Sequence, residues 1–169
     1  IGLVHGANNW RFAIEQGQVV ANLNDTSASL AEIVEVAEQK GVALPLVVRF
    51  PQILTQRMEE LCDGFAAAIK KRKYSGAYIP IYPVKANQFE LVVKTLMECH
   101  HVSGVEVGTK SELLMVLGTK VTPRVIVCNG TKDENYLKLI WGAAQEGLKV
   151  VCVLETQGEL DRLLSVTDG

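Results

Sequence analysis

The sequence lacks the features that mark membrane, secreted or nucleic-acid-binding proteins. No apolar run approaches the roughly twenty residues that a membrane-spanning helix needs. Seventeen Lys and Arg against nineteen Asp and Glu give a net charge of −2, so no strong field favours a nucleic acid or an anionic membrane. The four cysteines form no Cys-x-x-Cys pair and follow no secretory signal. We therefore expect a cytoplasmic protein with reduced cysteines, no metal site and a small-molecule partner.

Two nucleotide-binding loops of α/β folds are also missing. Neither Gly-x-Gly-x-x-Gly nor Gly-x-x-x-x-Gly-Lys-Ser/Thr occurs, so the dinucleotide and P-loop versions of an open sheet gain no support. No Gly/Ser-rich linker divides residues 25–169. This length of chain therefore reads as one continuous α/β segment.

Short apolar runs alternate with longer amphipathic ones from Ser27 onward, as in the strand–helix units of a parallel sheet. The strand candidates are 44–50, 77–84, 104–107, 124–128 and 149–155. A capping residue followed three positions later by Glu predicts where helices begin, at Ser29, Asn87, Thr109, Thr131 and Thr156. Glycines predict left-handed helix ends at Gly41, Gly118 and Gly147.

Residues 1–24 do not follow this rhythm. The stretch FAIEQGQVVANL (12–23) is typical of a short hairpin that turns at Gln16-Gly17. We expect residues 1–24 to be part of a β domain and residues 25–169 to form the α/β segment. Five strand–helix units fit either an open doubly wound sheet or the first part of an eight-fold barrel, which needs about 250 residues. Periodicity alone does not choose between them.

Lys85 stands at the end of the apolar segment 77–84, just before Asn87. In either architecture this is the carboxyl edge of the sheet, where parallel α/β folds assemble active sites. An amine among apolar neighbours loses water, which favours the neutral nucleophile used in Schiff-base chemistry. Alternatively the ammonium reaches solvent beyond the strand or pairs with a carboxylate. Spacing leaves both interpretations open.

Four blocks of sequence carry a family resemblance: LPLVVRFPQIL (44–54), IYPVKANQ (81–88), GVEVGTKSELL (104–114) and VCNGTKDENY (127–136). In order and spacing they resemble the fold-type III pyridoxal-phosphate decarboxylases and racemases, and within that group most the biosynthetic arginine decarboxylases. The Ala-Tyr-Gly continuation that marks alanine racemases does not follow Asn87. This difference makes a racemase a weaker interpretation than a decarboxylase.

The resemblance implies a partial (β/α)8 barrel of TIM type whose second strand carries Lys85 as the internal-aldimine lysine for pyridoxal 5'-phosphate. The implied activity is decarboxylation of L-arginine to agmatine and CO2, a step of polyamine and spermidine biosynthesis, by a homo-oligomer. Ornithine or diaminopimelate as substrate is an alternative, as is a catalytically silent homologue that acts through binding. The resemblance also allows Mg2+ as a cofactor.

Three other positions match the family, and each also has a purely structural explanation. Glu106 matches its acidic residue near the cofactor, and it equally suits the positive end of the helix that starts near Thr109. Glu112 matches a second acid, but a capping box with Thr109 already explains it. Asn129-Gly130 either approaches the cofactor or forms a plain turn.

The chain starts at Ile1 without a methionine, and we expect it to be the N-terminal part of a longer protein. The resemblance implies that the phosphate loop, the acid facing the pyridine nitrogen and a second-subunit cysteine lie downstream. Substrate choice and oligomeric state are therefore not encoded in these residues. Five of eight barrel strands leave open edges, so we expect the segment alone to be inactive and to aggregate or need a partner.

Overall fold

The computed structural model describes residues 11–23 and 26–167. The chain divides into two compact units, with the boundary between Ile53 and Leu54. No helix within the described ranges is long and apolar enough to cross a membrane.

The first unit contains an antiparallel sheet of three strands: β1 (Phe12–Glu15), β2 (Gln18–Leu23) and β3 (Thr26–Ser29). Gln16 and Gly17 both have positive φ, 50° and 81°, which suits the twist of a two-residue hairpin turn. The predicted hairpin is confirmed. β3 was not predicted, and it pairs with β2 before helix α1 (Leu30–Gln39) begins. The predicted domain boundary between residues 24 and 25 stays a prediction.

Residues 44–50 form no strand, so the prediction of a strand there is wrong. Strand propensity needs a neighbouring backbone to complete the hydrogen-bond ladder. No strand of the described ranges pairs with this segment, and Val47 is 75% exposed. The apolar pattern of this segment was thus not sufficient to predict a strand.

The second unit contains a parallel sheet of four strands in chain order. The strands are β4 (Ile81–Pro83), β5 (Gly104–Val107), β6 (Ile126–Cys128) and β7 (Val150–Cys152). The helices are α2 (Pro51–Arg72), which starts just before the unit boundary, then α3 (Glu90–Glu98), α4 (Lys110–Gly118), α5 (Glu134–Gln145) and α6 (Gln157–Thr167). The predicted α/β class with strand–helix units is confirmed.

The core of the second unit lies on one face of this sheet. Val105 and Val107 are fully buried in a cluster with Ile126 of β6 and with helix residues that include Leu113 of α4. Because successive strand residues point to opposite faces, Glu106 is directed to the other face of β5. The alternation that builds the core therefore also sets the direction of this carboxylate.

Three of the five predicted helix caps are confirmed. The hydroxyl oxygens of Ser29, Thr109 and Thr156 accept the backbone N–H three residues later, at 3.5, 3.1 and 3.2 Å. The prediction at Asn87 is wrong, because its Oδ1 accepts the N–H of Phe89 and α3 begins afterwards. The prediction at Thr131 is also wrong, because the Asp133 carboxylate accepts the N–H of Tyr136. A charged acceptor satisfies an N-terminal donor better than a hydroxyl does.

Two of the three predicted left-handed helix ends are confirmed. Gly41 and Gly147 have φ of 73° and 86°. At Gly118 the helix ends as predicted, since this glycine is the last residue of α4, but the left-handed cap is wrong, because Gly118 does not have a positive φ. There the Thr119 hydroxyl donates to the Val116 carbonyl at 2.7 Å and occupies one of the terminal acceptors.

Candidate functional site

Lys85 lies in a 3₁₀ turn (Val84–Ala86) that follows β4 directly. Val84 anchors the turn, since it is fully buried in the core. The Tyr82 hydroxyl donates to the Asn87 carbonyl at 3.1 Å, and the Asn87 N–H donates to the Val84 carbonyl at 3.2 Å. The turn is thus fixed on both sides of Lys85, which it presents at the carboxyl edge of the sheet.

The neighbouring strand brings a carboxylate to this amine. Pro83 of β4 is in register with Glu106 of β5, and Lys85 Nζ lies 3.6 Å from Glu106 Oε1. The Lys85 side chain is 66% exposed, whereas that of Glu106 is 18% exposed. The described residues therefore do not shield the Lys85 amine from water in the way that the sequence had led us to expect. The amine pairs with a carboxylate, as one of the two sequence-based interpretations predicted.

A third strand end contributes Asn129. Its Nδ2 lies 3.5 Å from Glu106 Oε1, on the same oxygen that faces Lys85. The Asn129 N–H donates to the Val107 carbonyl at 2.8 Å, and Asn129 Oδ1 accepts the N–H of Gly130 at 2.9 Å. Lys85, Glu106 and Asn129 thus meet at the ends of β4, β5 and β6.

Glu112 supports this edge from inside the protein. It is 6% exposed; its Oε2 accepts the N–H of Gly108 at 2.7 Å and its Oε1 accepts Gln88 Nε2 at 2.8 Å. With the cap at Thr109, these bonds join the loop after β5 to the segment after Lys85. Both oxygens have protein partners, which favours the structural explanation of Glu112.

Sequence reasoning missed two buried charged residues at the same edge. Lys132 is 0% exposed and Glu159 is 3% exposed. Backbone hydrogen bonds from Glu155 and Lys132 lower the pKa of Glu159. The Thr156–Glu159 capping pattern was the available signal for Glu159, whereas nothing local distinguishes Lys132 from a solvated loop lysine.

Cys128 at the end of β6 is a fully buried thiol. Burial raises its pKa from 9.0 to about 11, although the hydrogen bond with Tyr136 and the charge of Lys132 act in the opposite direction. We expect iodoacetamide to alkylate it at pH 8 roughly 100-fold more slowly than an ordinary thiol, because two pKa units reduce the thiolate a hundredfold. The rate should rise about tenfold per pH unit below pH 11.

Peptide mass spectrometry of the full-length protein measures this rate, with the guanidinium-denatured protein as the control. Equal rates for Cys128 in the native and denatured protein would contradict a buried, protonated thiol.

A cavity of about 530 Å³ lies elsewhere on the second unit. It is lined in part by Tyr78 and Pro80, which precede β4, and by His100, His101 and Ser103, which precede β5. These residues mark the amino end of the sheet, opposite Lys85. Parallel α/β folds bind substrates at the carboxyl end, so we base the site on the Lys85 edge.

No group of three or more His, Cys, Asp and Glu side chains that could hold a metal ion occurs in residues 11–23 and 26–167. The suggested Mg2+ therefore has no ligand set in this part of the chain. The roles that the resemblance implies for Lys85 and Glu106 stay predictions, and the geometry of the strand edge is compatible with them.

Known proteins resemble this chain over most of its length. Residues 55–169 match the family described as pyridoxal-dependent decarboxylase, pyridoxal binding domain. Biosynthetic arginine decarboxylases from Shewanella frigidimarina and Vibrio cholerae are both 39% identical to the chain, over 89% and 95% of its length. The chain spans only 25% and 27% of those relatives.

A solved structure agrees with the fold. The crystal structure of the biosynthetic arginine decarboxylase from Campylobacter jejuni has a TM-score of 0.83 and 26% identity. The match covers 94% of this chain and 27% of that one. The parallel sheet is thus the first part of a fold-type III barrel, as the resemblance implied, and not a complete open sheet. With the family match over residues 55–169, the chain belongs to the pyridoxal-dependent decarboxylases and carries sequence of their pyridoxal-binding domain.

Proposed function

We propose that this chain is part of an enzyme that decarboxylates L-arginine to agmatine and CO2, and that Lys85 binds its pyridoxal phosphate. The observation that carries the proposal is the Lys85 amine, which stands at the carboxyl edge of the sheet 3.6 Å from Glu106. The substrate follows from the relatives named biosynthetic arginine decarboxylase. Because the chain spans about a quarter of those proteins, the activity belongs to the full-length protein.

The residues present suit an aldehyde cofactor. Lys85 Nζ is accessible, since two-thirds of the side chain is exposed, and a primary amine is the group that condenses with an aldehyde. Lys85 and Glu106 would therefore hold the reactive end of the cofactor.

Each residue then has a defined task. When bound, pyridoxal phosphate supplies the electron sink for the bond that CO2 leaves. Glu106 holds the Lys85 amine at the strand edge through their ion pair, and Asn129 orients the Glu106 oxygen that faces it. Lys85 Nζ would also be placed to donate a proton to a substrate held at this edge. The protein thus positions the reacting groups, whereas the cofactor carries the electronic work.

Carboxyl-labelled substrates test the proposal in the full-length protein. We expect labelled CO2 and unlabelled agmatine from carboxyl-labelled arginine. The kcat/KM should be at least about tenfold above that for ornithine or diaminopimelate, since neither has a guanidinium and polar groups built to bind one would be left unpaired. Faster turnover of ornithine or diaminopimelate would transfer the proposal to that substrate. Absence of labelled CO2 with cofactor bound would instead identify a silent homologue.

Three further properties are proposed from the resemblance alone. We propose a cytoplasmic homo-oligomer, because the family completes its site with a cysteine of a second subunit, and Mg2+ as an accessory ion. Sedimentation of the full-length protein tests the oligomer, and assays with and without EDTA test the ion. A monomer with full activity, or activity unaffected by EDTA, would remove the respective property.

A further inference from the structure

Lys132 is a fully buried lysine in the loop between β6 and α5. Lysine is almost never fully buried unless it is paired, because its ammonium loses strong hydration. The neighbouring Lys110 and Lys138 of helices α4 and α5 are exposed and pair with carboxylates at the surface. A loop can fold without a buried ammonium, so the contacts of Lys132 are the evidence for its role.

Those contacts connect two loops. Lys132 Nζ donates to the Gly130 carbonyl at 2.5 Å, and the Lys132 backbone N–H donates to Glu159 Oε1 at 2.9 Å. Glu159 Oε2 accepts the N–H of Glu155 at 2.8 Å. The Glu159 carboxylate therefore joins the loop after β6 to the loop after β7, and Lys132 folds back onto the turn that precedes it.

This turn carries the residue that touches the site. Gly130 has φ of 72°, and its N–H donates to Asn129 Oδ1 at 2.9 Å. That bond leaves Asn129 Nδ2 directed at Glu106 Oε1. A chain of contacts thus runs from Glu159 through Lys132, Gly130 and Asn129 to the carboxylate beside Lys85.

We propose that Lys132 and Glu159 are positioning residues that hold the Asn129-Gly130 turn, so that Asn129 keeps the Glu106 carboxylate oriented beside Lys85. The inference rests on the proposed function for its catalytic consequence. Its structural part, the tether of the turn, does not depend on any activity. Neither residue touches the reacting groups, so both act through Asn129.

A double-mutant cycle in the full-length protein tests the inference. Lys132→Met keeps most of the length of the side chain but removes the ammonium, so the Gly130 carbonyl loses its donor while Glu159 keeps both backbone N–H groups. We expect kcat/KM for arginine to fall about 10- to 100-fold, the scale of a misplacement by about 1 Å. In an Asn129→Ala background the same change should cost less than about threefold, because the orienting amide is already gone.

Lys138→Met is the matched control, since it removes an exposed lysine from the neighbouring helix, and we expect kcat/KM within about twofold of wild type. Unchanged kcat/KM in Lys132→Met, or an equal loss with and without Asn129, would overturn the inference. Where Lys132→Met does not fold, Glu159→Gln replaces it, because the amide cannot accept both backbone N–H groups; the same two comparisons then decide.

Amide hydrogen exchange separates this inference from the proposed function. We expect peptides covering residues 127–133 to exchange faster in Lys132→Met than in wild type, and at the wild-type rate in Lys138→Met. A wild-type protein without activity on arginine would defeat the proposed function, while exchange would still decide whether Lys132 tethers the turn. Unchanged exchange in Lys132→Met would overturn the tether.

Discussion

Replacing Lys85 by Ala in the full-length protein should reduce arginine decarboxylation by about 10³-fold or more, which is the scale for loss of a covalent catalytic group. The visible absorption band of bound pyridoxal phosphate should disappear as well. Alanine has no amine to condense with the aldehyde, and the Glu106 carboxylate loses its 3.6 Å partner. Absorption spectra and release of labelled CO2 measure the two effects separately.

Two further variants define what the amine contributes. Lys85→Arg keeps a positive charge for Glu106 but supplies no condensing amine, so we expect it to be as inactive as Lys85→Ala. Lys110→Ala removes an exposed, ion-paired lysine from the start of α4, and we expect activity within about twofold of wild type. If Lys85→Ala kept the band and the activity, another residue would have to bind the cofactor.

Gly130→Ala should be the most damaging of the conservative changes at this edge. Gly130 has φ of 72°, and a Cβ there would lie 2.2 Å from the Gly108 carbonyl oxygen. A backbone atom cannot give way as a flexible side chain does. We expect the free energy of unfolding of this domain to fall by about 2–4 kcal/mol, measured as a lower midpoint in urea denaturation of the full-length protein.

Gly142→Ala is the matched control for that change. Gly142 lies within α5, and an added Cβ would meet no atom within 4 Å among the described residues. Alanine in a helix interior should raise the free energy of unfolding by about 0.5–1 kcal/mol. If Gly130→Ala were as stable as Gly142→Ala, the result would contradict the close contact between Gly130 and the Gly108 carbonyl.

Local patterns predicted the fold well where the neighbouring residues alone decide the structure. The hairpin at Gln16-Gly17 and the cap at Thr109 depend on atoms within a few residues, and both were predicted. Residues 44–50 and the helix start at Asp133 were not. Whether residues 44–50 form a strand depends on another strand lying alongside. Where α5 starts depends on competition between the Thr131 and Asp133 acceptors. Neither can be predicted from a short stretch of sequence.

The same distinction applies to the site. Lys85 was singled out because it follows an apolar run, and Glu106 because it matches an acidic residue of the family; parallel pairing brings the two together. Lys132 and Glu159 are separated by 27 residues and meet only through a buried hydrogen bond. Their burial depends on how two loops pack, and residue type alone predicts solvent exposure for both.

The order of the parallel sheet bears on how the protein is made. Each of β5, β6 and β7 pairs with the strand that precedes it in the chain, so each of these strands finds its partner already synthesised. Such a sheet can grow outward from β4 as the ribosome releases it, without waiting for distant segments. By the time α5 has emerged, the three strand ends that bring Lys85, Glu106 and Asn129 together are all available to assemble.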